Sequence, residues 1–164
     1  MKIIAIDPGY DRLGVAILEK KIKGQEVLLY SECFQTSPND EFNNRVGLLG
    51  KRVREIIKEF EPEYMAIENL FFAKNTKTAL KVSESRGVVI FQAIDKNIPV
   101  YEFTPNQIKV AVAGYGRATK KDVYLMTDRL INLTKKKYID DEIDAIATGL
   151  TFFATHNIKT LEKS

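Results

Sequence analysis

Two carboxylates in the chain follow short apolar segments that are typical of buried strands. Asp7 follows residues 3–6 and begins the turn Asp7-Pro8-Gly9, and Glu68 follows residues 65–67. A carboxylate at the end of a hydrophobic strand loses hydration, so it needs a positive partner or a bound cation. Taken alone, Asp7 is also explained as a turn aspartate, and Glu68 as half of a structural ion pair.

Two further acids, Asp141 and Asp144, are three residues apart at the start of a predicted helix. Side chains at this spacing share one face of a helix. Acids in a first helical turn also interact favourably with the helix dipole, and that explanation needs no metal. Asp144 has apolar neighbours, however, which is unexpected for a purely solvated acid. The pair alone leaves both explanations open.

These four acids predict a site for divalent cations if folding brings them together. Carboxylates within a few ångström of one another repel strongly unless cations neutralise them. A ligand set of oxygen atoms favours Mg²⁺, with Mn²⁺ as a substitute, and no histidine or cysteine lies near these acids in the sequence to favour zinc. Two such ions about 3.5–4 Å apart activate water and stabilise the leaving oxygen in phosphodiester hydrolysis.

A basic segment precedes the last acidic pair. Residues 109–137 contain eight lysines and arginines and two acids, and the acidic residues 140–144 follow shortly afterwards. A phosphate-binding surface around a cation site requires such a pairing. The pattern is equally typical of a solvated helix face followed by an acidic helix start, so the charge distribution alone leaves both interpretations open.

The composition is that of a folded domain. The chain has 164 residues, of which 45% are hydrophobic and 29% charged, so one domain over residues 1–164 is expected. No apolar stretch reaches the roughly 20 residues that cross a bilayer, and Asp7 comes too early for a secretory signal. The single cysteine, Cys33, fits a reducing compartment, so we expect a cytoplasmic protein without membrane contact. We expect Cys33 in the core, and His156 on the surface without a role.

The apolar pattern predicts the elements that must position these residues. Three strands are predicted first, and a helix–strand–helix–strand order with further helices follows, which indicates an α/β sheet with helices packed on its faces. Thr104 begins a capping box with Gln107, and Thr119 caps a further helix. The strands are predicted at residues 2–6, 14–20, 27–34, 64–69 and 99–103, and the helices at 46–60, 76–95, from 104 onwards, 119–133 and 140–155.

Four motifs occur along nearly the whole chain in the order and spacing of one known family. They are Ile6-Asp7-Pro8-Gly9 with Gly14, the segment 67–75, Ala79-Leu80-Lys81 with Ser85-Arg86-Gly87, and the segment 141–147. Each motif is weak alone, but the combination is specific. The chain resembles the RuvC family of Holliday junction resolvases. This implies an RNase H-like fold, with a mixed five-stranded sheet of three antiparallel strands followed by parallel ones and helices on both faces. It also implies a structure-selective endonuclease that cuts four-way DNA junctions.

The resemblance implies roles for particular residues. The four acids correspond to the family's catalytic ligands for two metal ions, and this chain has aspartate at Asp141, where some members have histidine. Phe71 corresponds to an aromatic residue that stacks on an unpaired base at the junction centre. Neighbouring side chains of an extended connector point to opposite sides, so we expect Phe71 to be exposed and Phe72 buried. Candidate DNA contacts are Lys109 and Lys120 near the scissile phosphate, Lys121 as an alternative to Lys120, and Arg117, Lys74, Lys77 and Arg86 on the DNA backbone.

The implied substrate has consequences for assembly. Two opposing strands of a four-way junction are cut by two active sites, so we expect a homodimer with two-fold symmetry. The predicted helix 76–95 is the expected interface, because it has more apolar residues than one buried stripe needs. In the family, a branch-migration motor delivers the junction, so a motor complex is an expected partner.

Three other classes remain as alternatives. A hydrolase of RNA–DNA hybrids, or a relative that processes ribosomal RNA ends, would share the acids without necessarily sharing the dimer or the exposed aromatic residue. A sugar-kinase or actin-like nucleotide-binding module also begins with a strand and Asp-x-Gly, but it needs a second phosphate loop and roughly twice the length. A non-catalytic junction-binding protein would not need all four acids.

Overall fold

Five strands form one mixed sheet in the computed structural model, which describes residues 1–21, 24–69, 76–134 and 137–156. Along the sheet the order is β3-β2-β1-β4-β5. Strand β2 is antiparallel to both β1 and β3, whereas β4 is parallel to β1 and β5 is parallel to β4. The predicted architecture is therefore confirmed. The strands are β1 (Lys2–Asp7), β2 (Arg12–Lys20), β3 (Glu26–Gln35), β4 (Tyr64–Glu68) and β5 (Val100–Phe103).

The helices also follow the predicted order. Helix α4 ends two residues before the predicted position 133, because Asn132 takes a left-handed conformation (φ 53°) and its N–H donates to the Asp128 carbonyl. Within the described ranges, no helix has the length and apolar character needed to cross a membrane. The helices are α1 (Phe42–Phe60), α2 (Thr76–Ile94), α3 (Pro105–Ala113), α4 (Lys120–Ile131) and α5 (Asp140–Thr155).

Alternation along the strands divides the core between the two faces of the sheet. In β1, Ile4 and Ile6 pack with residues of α1 and α2, whereas Ile3 and Ala5 pack with residues of α3, α4 and α5. Successive side chains of a strand point to opposite faces, so Asp7 continues the series of Ile3 and Ala5. The same rule places Glu68 on the face of Ala66 in β4. Both strand-end acids therefore point towards the α5 side of the sheet.

Helix α5 lies close to the sheet because small residues face it. A Cβ atom at Gly149 would lie 2.6 Å from Leu18 Cδ1 and 3.1 Å from Ala5 Cβ, so no larger residue fits there without displacement. At the other end of the helix, a Cβ atom at Gly14 of β2 would collide with the main-chain carbonyl of Asp141. Close packing at both ends brings the first turn of α5 over the end of β1.

Two expectations about single residues differ from the structure. Cys33 is a half-buried free thiol rather than a core residue, because it lies on the edge strand β3 opposite Gly14, which has no side chain to cover it. His156 is half-buried rather than at the surface. Its ring stacks on Phe152 with centroids 4.6 Å apart and meets Tyr101 at 4.5 Å. The end of α5 is thus packed against aromatic side chains.

Candidate active site

The ends of β1 and β4 place two acids side by side. These strands are parallel, with Ile6 opposite Ile67, so Asp7 and Glu68 occupy the next row. Burial and, to a smaller extent, the nearby carboxylates of Glu68, Asp144 and Asp141 together raise the pKa of Asp7 to about 8. The four acids are therefore close enough in the folded chain to influence one another.

The pKa of Glu68 is also high. Burial and the Asp144 carboxylate together raise it to about 7, although the ammonium groups of Lys120 and Lys109 oppose the rise. Burial likewise holds the pKa of Asp144 above its ordinary value. A site in which carboxylates are this difficult to ionise attracts positive charge strongly.

The first turn of α5 contributes an oxygen that lacks a hydrogen bond. Asp141 is 14% exposed, and its Oδ2 atom lies 3.4 Å from Arg12 Nε. The two groups form an ion pair without hydrogen-bond geometry, so Oδ2 is a buried acceptor with no donor. Such an oxygen is costly to bury unless a cation or a donor approaches it.

The chemistry of these side chains fits a hard divalent cation. All the possible ligand atoms are carboxylate oxygens, Asp141 Oδ2 accepts no hydrogen bond, and Asp7 and Glu68 have the raised pKa values of a site with excess negative charge. In the part of the chain that the structure describes, no three acidic, histidine or cysteine side chains are already closed into a metal-binding cluster. The four acids are near one another, but their side chains do not form a closed set of ligands around one point.

Lys120 lies among these acids. Its Nζ atom is 3.7 Å from Asp144 Oδ2 and 3.5 Å from Asp140 Oδ2. The Asp144 carboxylate is the main reason that the pKa of Lys120 is raised, so this ammonium stays charged over the physiological range. Lys120 therefore lies beside the predicted metal ligands, and its contact with the scissile phosphate stays a prediction.

A cleft of about 210 Å³ opens beside Glu68 and Asp144, and we call it the acidic cleft. The acids form one wall, and helices α3 and α4 supply the other with both apolar and basic side chains. Both lysines predicted to contact the scissile phosphate line it. The residues that α3 and α4 contribute to the cleft are Pro105, Ile108, Lys109, Lys120 and Val123.

Capping boxes determine where α3 and α4 begin. The Thr104 hydroxyl accepts a hydrogen bond from the Gln107 amide at 3.3 Å, and Gln107 Oε1 accepts one from the Thr104 amide at 2.8 Å. Thr119 and Asp122 form the same pair at 3.2 and 2.8 Å, which makes Lys120 the first residue of α4. These caps confirm the predicted helix starts.

The other candidate DNA contacts occupy different positions. Lys121 and Arg117 are exposed and do not line the acidic cleft. Arg86 is 15% exposed, its Nη2 lies 2.8 Å from Glu102 Oε2, and its Nε donates to the main-chain carbonyl of Glu68 at 3.3 Å. Arg86 therefore binds the main chain at the end of β4 and a side chain of β5. Its contact with DNA stays a prediction.

Two of the candidates, Phe71 and Lys74, fall outside the described residues. Phe72, which was expected to be buried, also falls outside them. The backbone of Lys77 is part of α2, but its side chain is also outside the described set. The roles expected for these residues stay predictions.

Two arginines that the sequence analysis missed support the site. Arg12 forms an ion pair with Asp141. Arg45 is buried and holds the turn that follows Asp7: Nε donates to Thr36 Oγ1 at 2.9 Å, and Nη2 donates to the Tyr10 carbonyl at 3.4 Å. Its ion pair with Asp11 completes this contact. The sequence signal that could have found Arg45 is its spacing: it lies four residues before Leu49, on the apolar face of the amphipathic α1.

This sheet order, with acids at the ends of two adjacent parallel strands and at the start of the helix above them, defines an RNase H-like nuclease. The family described as "Crossover junction endodeoxyribonuclease RuvC" matches residues 3–152. A relative of that description from Petrotoga mobilis is 42% identical over 149 residues, covering 91% of each chain.

Solved structures agree with this match. The Thermus thermophilus RuvC structure has a TM-score of 0.88 and 34% identity, with 98% of each chain covered. T. thermophilus RuvC in complex with Holliday junction substrate has a TM-score of 0.90 and 34% identity, covering 98% of this chain and 97% of that one. The chain belongs to the RuvC family and is a crossover junction endodeoxyribonuclease. This membership decides against the nucleotide-binding and non-catalytic alternatives.

Proposed function

We propose that the chain resolves four-way DNA junctions in recombination and repair by hydrolysing one phosphodiester in each of two opposing strands, with the four acids as its metal ligands. The observation that carries this proposal is the pairing of Asp7 with Glu68 beneath the acidic face of α5, where their pKa values rise to about 8 and about 7. Groups held in this way are ready to exchange protons for divalent cations.

Asp7, Glu68, Asp141 and Asp144 would hold two Mg²⁺ ions, with Mn²⁺ as a substitute. When bound, these ions supply Lewis-acid activation of water and stabilisation of the leaving oxygen. The chain's own contribution is the arrangement of the ligands. Asp7 and Glu68 give up their protons as the site fills, and Asp141 offers the oxygen that has no donor.

Lys109 and Lys120 bind the phosphate on the opposite wall of the acidic cleft. Both ammonium groups are near enough to Glu68 to lower its pKa, so they also lie near any phosphate held beside that acid. A fixed positive charge at a phosphate oxygen stabilises the extra negative charge of the transition state. The two lysines thereby orient the scissile group.

We assign the junction-specific contacts to residues around this cleft. Phe71 stacks on an unpaired base, and Lys121, Arg117, Lys74 and Lys77 bind the DNA backbone. The ion pair of Arg86 with Glu102 favours a structural role for Arg86 over its predicted DNA contact.

The active form is a homodimer through α2. Three of its apolar side chains are well exposed, which supports an interface there: Leu80 (64%), Phe91 (58%) and Ile94 (56%). Two copies related by two-fold symmetry present two acidic clefts to opposing strands. Residues 1–164 act as one nuclease domain, in the cytoplasm with the DNA, and a branch-migration motor delivers the junction.

Cleavage of a synthetic mobile four-way junction with Mg²⁺ tests this function. Asp7→Asn should reduce cutting by at least about 100-fold while junction binding in EDTA persists, because only the metal site is lost. Asp40→Asn is the control, since Asp40 is an exposed acid in the loop that precedes α1, and it should cut at the wild-type rate. Unimpaired cutting by Asp7→Asn, or preferential cutting of an RNA–DNA hybrid of the same length, would contradict the proposal.

A further inference from the structure

Glu142 lies between two proposed metal ligands in the sequence, but its side chain points into the protein. Among the described residues it is the one buried acid, with 5% exposure. A buried carboxylate is tolerated when hydrogen-bond donors replace its lost hydration. Glu142 Oε1 accepts a hydrogen bond from the Ser31 hydroxyl at 2.9 Å, and Oε2 accepts one from the Ile139 amide at 3.1 Å.

These two hydrogen bonds connect different parts of the fold. Ile139 immediately precedes α5, and its amide is joined to the helix by the carboxylate of Glu142. Ser31 is a buried residue of β3, paired with Ala16 of β2 and 111 residues away from Glu142 along the chain. One carboxylate therefore caps the helix and ties its first turn to the sheet.

We propose that Glu142 is a positioning residue which, together with Ser31, sets the rotation and depth of the first turn of α5. Consecutive residues of a helix are about 100° apart around its axis, so a fixed Glu142 directs its neighbours Asp141 and Asp144 to the other side of the turn. That side carries the acids that raise the pKa of Asp7. The inference rests on the proposed role of these aspartates as metal ligands.

The hydrogen bonds of Glu142 lie at the first turn of α5, so we expect their loss to affect the geometry of the site more than the stability of the fold. The later turns of α5 are held by buried apolar side chains such as Ile146 and Phe152. At the first turn, Asp141 and Asp144 face other carboxylates and are repelled by them when ionised. The hydrogen bonds of Glu142 oppose that repulsion at the place where apolar packing ends.

The test compares Glu142→Ala, Glu142→Gln, Ser31→Ala and the double variant Ser31→Ala/Glu142→Ala in the full chain. The measurements are the single-turnover cleavage rate, junction affinity in EDTA and the rise in melting temperature on adding Mn²⁺ alone. Glu142→Ala should cut about 10- to 100-fold more slowly, since a misplacement of about 1 Å costs that much. It should also lose most of its Mn²⁺-induced shift while binding the junction within about two-fold of the wild type.

The other variants separate positioning from general stability. Glu142→Gln keeps an acceptor and should retain more activity than Glu142→Ala. The double variant should be no slower than Glu142→Ala, because the two side chains act as one unit. Ile57→Val, in the core on the opposite face of the sheet, is the stability control and should leave the rate and the Mn²⁺ shift unchanged.

A cleavage rate and an Mn²⁺ shift within two-fold of the wild type in Glu142→Ala would overturn the inference, as would losses that add fully in the double variant. If Glu142→Ala does not fold, Ser31→Ala and Glu142→Gln decide by the same measurements. Failure of the proposed function would be seen separately, as cutting by Asp7→Asn.

Discussion

Asp7 lies directly opposite Gly14 in the β1–β2 ladder, and the absence of a side chain at Gly14 leaves the space that the main-chain carbonyl of Asp141 occupies. A strand residue without a side chain thus lets the start of α5 approach a carboxylate from which it is separated by most of the chain. This contact brings Asp141 to the end of β1.

Gly14→Ala should therefore damage the site. The new Cβ atom would collide with the Asp141 carbonyl and lie 3.1 Å from Asp7 Cβ, so α5 must shift. We expect a loss of about 1–3 kcal/mol in the free energy of unfolding, typical of overpacking, and slower junction cleavage. Urea unfolding and single-turnover cleavage measure the two effects.

Gly47→Ala is the matched control for this substitution. Gly47 is exposed on α1, and a Cβ atom there meets nothing within 4 Å. Alanine should raise the free energy of unfolding by up to about 1 kcal/mol through helix propensity. Equal stability and activity of the two glycine variants would mean that α5 does not contact β2 as described.

The metal-free protein should lose stability as the pH rises towards 8. Folding raises the pKa of Asp7 from 3.8 to about 8 and that of Glu68 from 4.5 to about 7, so the folded state binds more protons than the unfolded state between these values. This contribution is fully present below about pH 4 and disappears as the pH passes through about 7–8. We expect a decrease on the order of 5 kcal/mol between pH 5.5 and 8.5, of which Asp7 contributes more than half.

Urea unfolding in EDTA across that pH range measures the effect, with Asp7→Asn as the reference. The free energy difference between the wild type and Asp7→Asn should change with pH, because the amide does not titrate. Mg²⁺ should restore stability at pH 8 in the wild type and much less in the variant. A difference that stays constant with pH would contradict the raised pKa of Asp7.

Lys120 and Lys121 should have different effects on cleavage. Lys120 lines the acidic cleft 3.7 Å from Asp144, whereas Lys121 is exposed and outside it. Lys120→Ala should slow cleavage by about 10- to 100-fold, because a charge near the phosphate is lost. Lys121→Ala should stay within about three-fold of the wild type.

The dependence of the cleavage rate on pH gives a second measurement for this pair. Lys120 lowers the pKa of Glu68 and of Asp144, so its removal should move the rising limb of the profile to higher pH. Lys121→Ala should leave the limb in place. A larger effect of Lys121→Ala on both readouts would move the assignment to the neighbouring lysine.

Phe91→Glu should convert the proposed dimer into a monomer. Phe91 is 58% exposed on α2, and a charge at a buried interface loses its hydration without a partner. Analytical ultracentrifugation at micromolar concentration should show the smaller species, and the variant should lose coordinated cuts in opposing strands. Leu125→Glu on α4, where Leu125 is 44% exposed, is the control and should not change the oligomeric state. A dimer that survives Phe91→Glu would place the interface elsewhere.

Most of the secondary structure was predictable from local patterns. Strand alternation and helical periodicity depend on neighbouring residues, so β1 and α5 were predicted to within a residue or two and the capping box at Thr104 was predicted correctly. The long-range contacts that support the acids were not predictable. In the sequence, Glu142 is indistinguishable from the other acids of the first helical turn. Its hydrogen bond with Ser31 joins residues 111 positions apart, so no local pattern indicates it.

By itself, the sequence determined which side chains are available for chemistry, where each stands within its element, and which family the motifs resemble. Only the tertiary structure decided that Asp7 and Glu68 lie side by side at the ends of β1 and β4. It also decided that Lys109 and Lys120 line one cleft with Glu68 and Asp144, and that Arg86 binds the main chain of Glu68. The physical reason is the distance along the chain between the residues that interact. Periodicity and caps arise from hydrogen bonds a few residues apart, whereas strand register, helix depth and burial depend on contacts between distant segments.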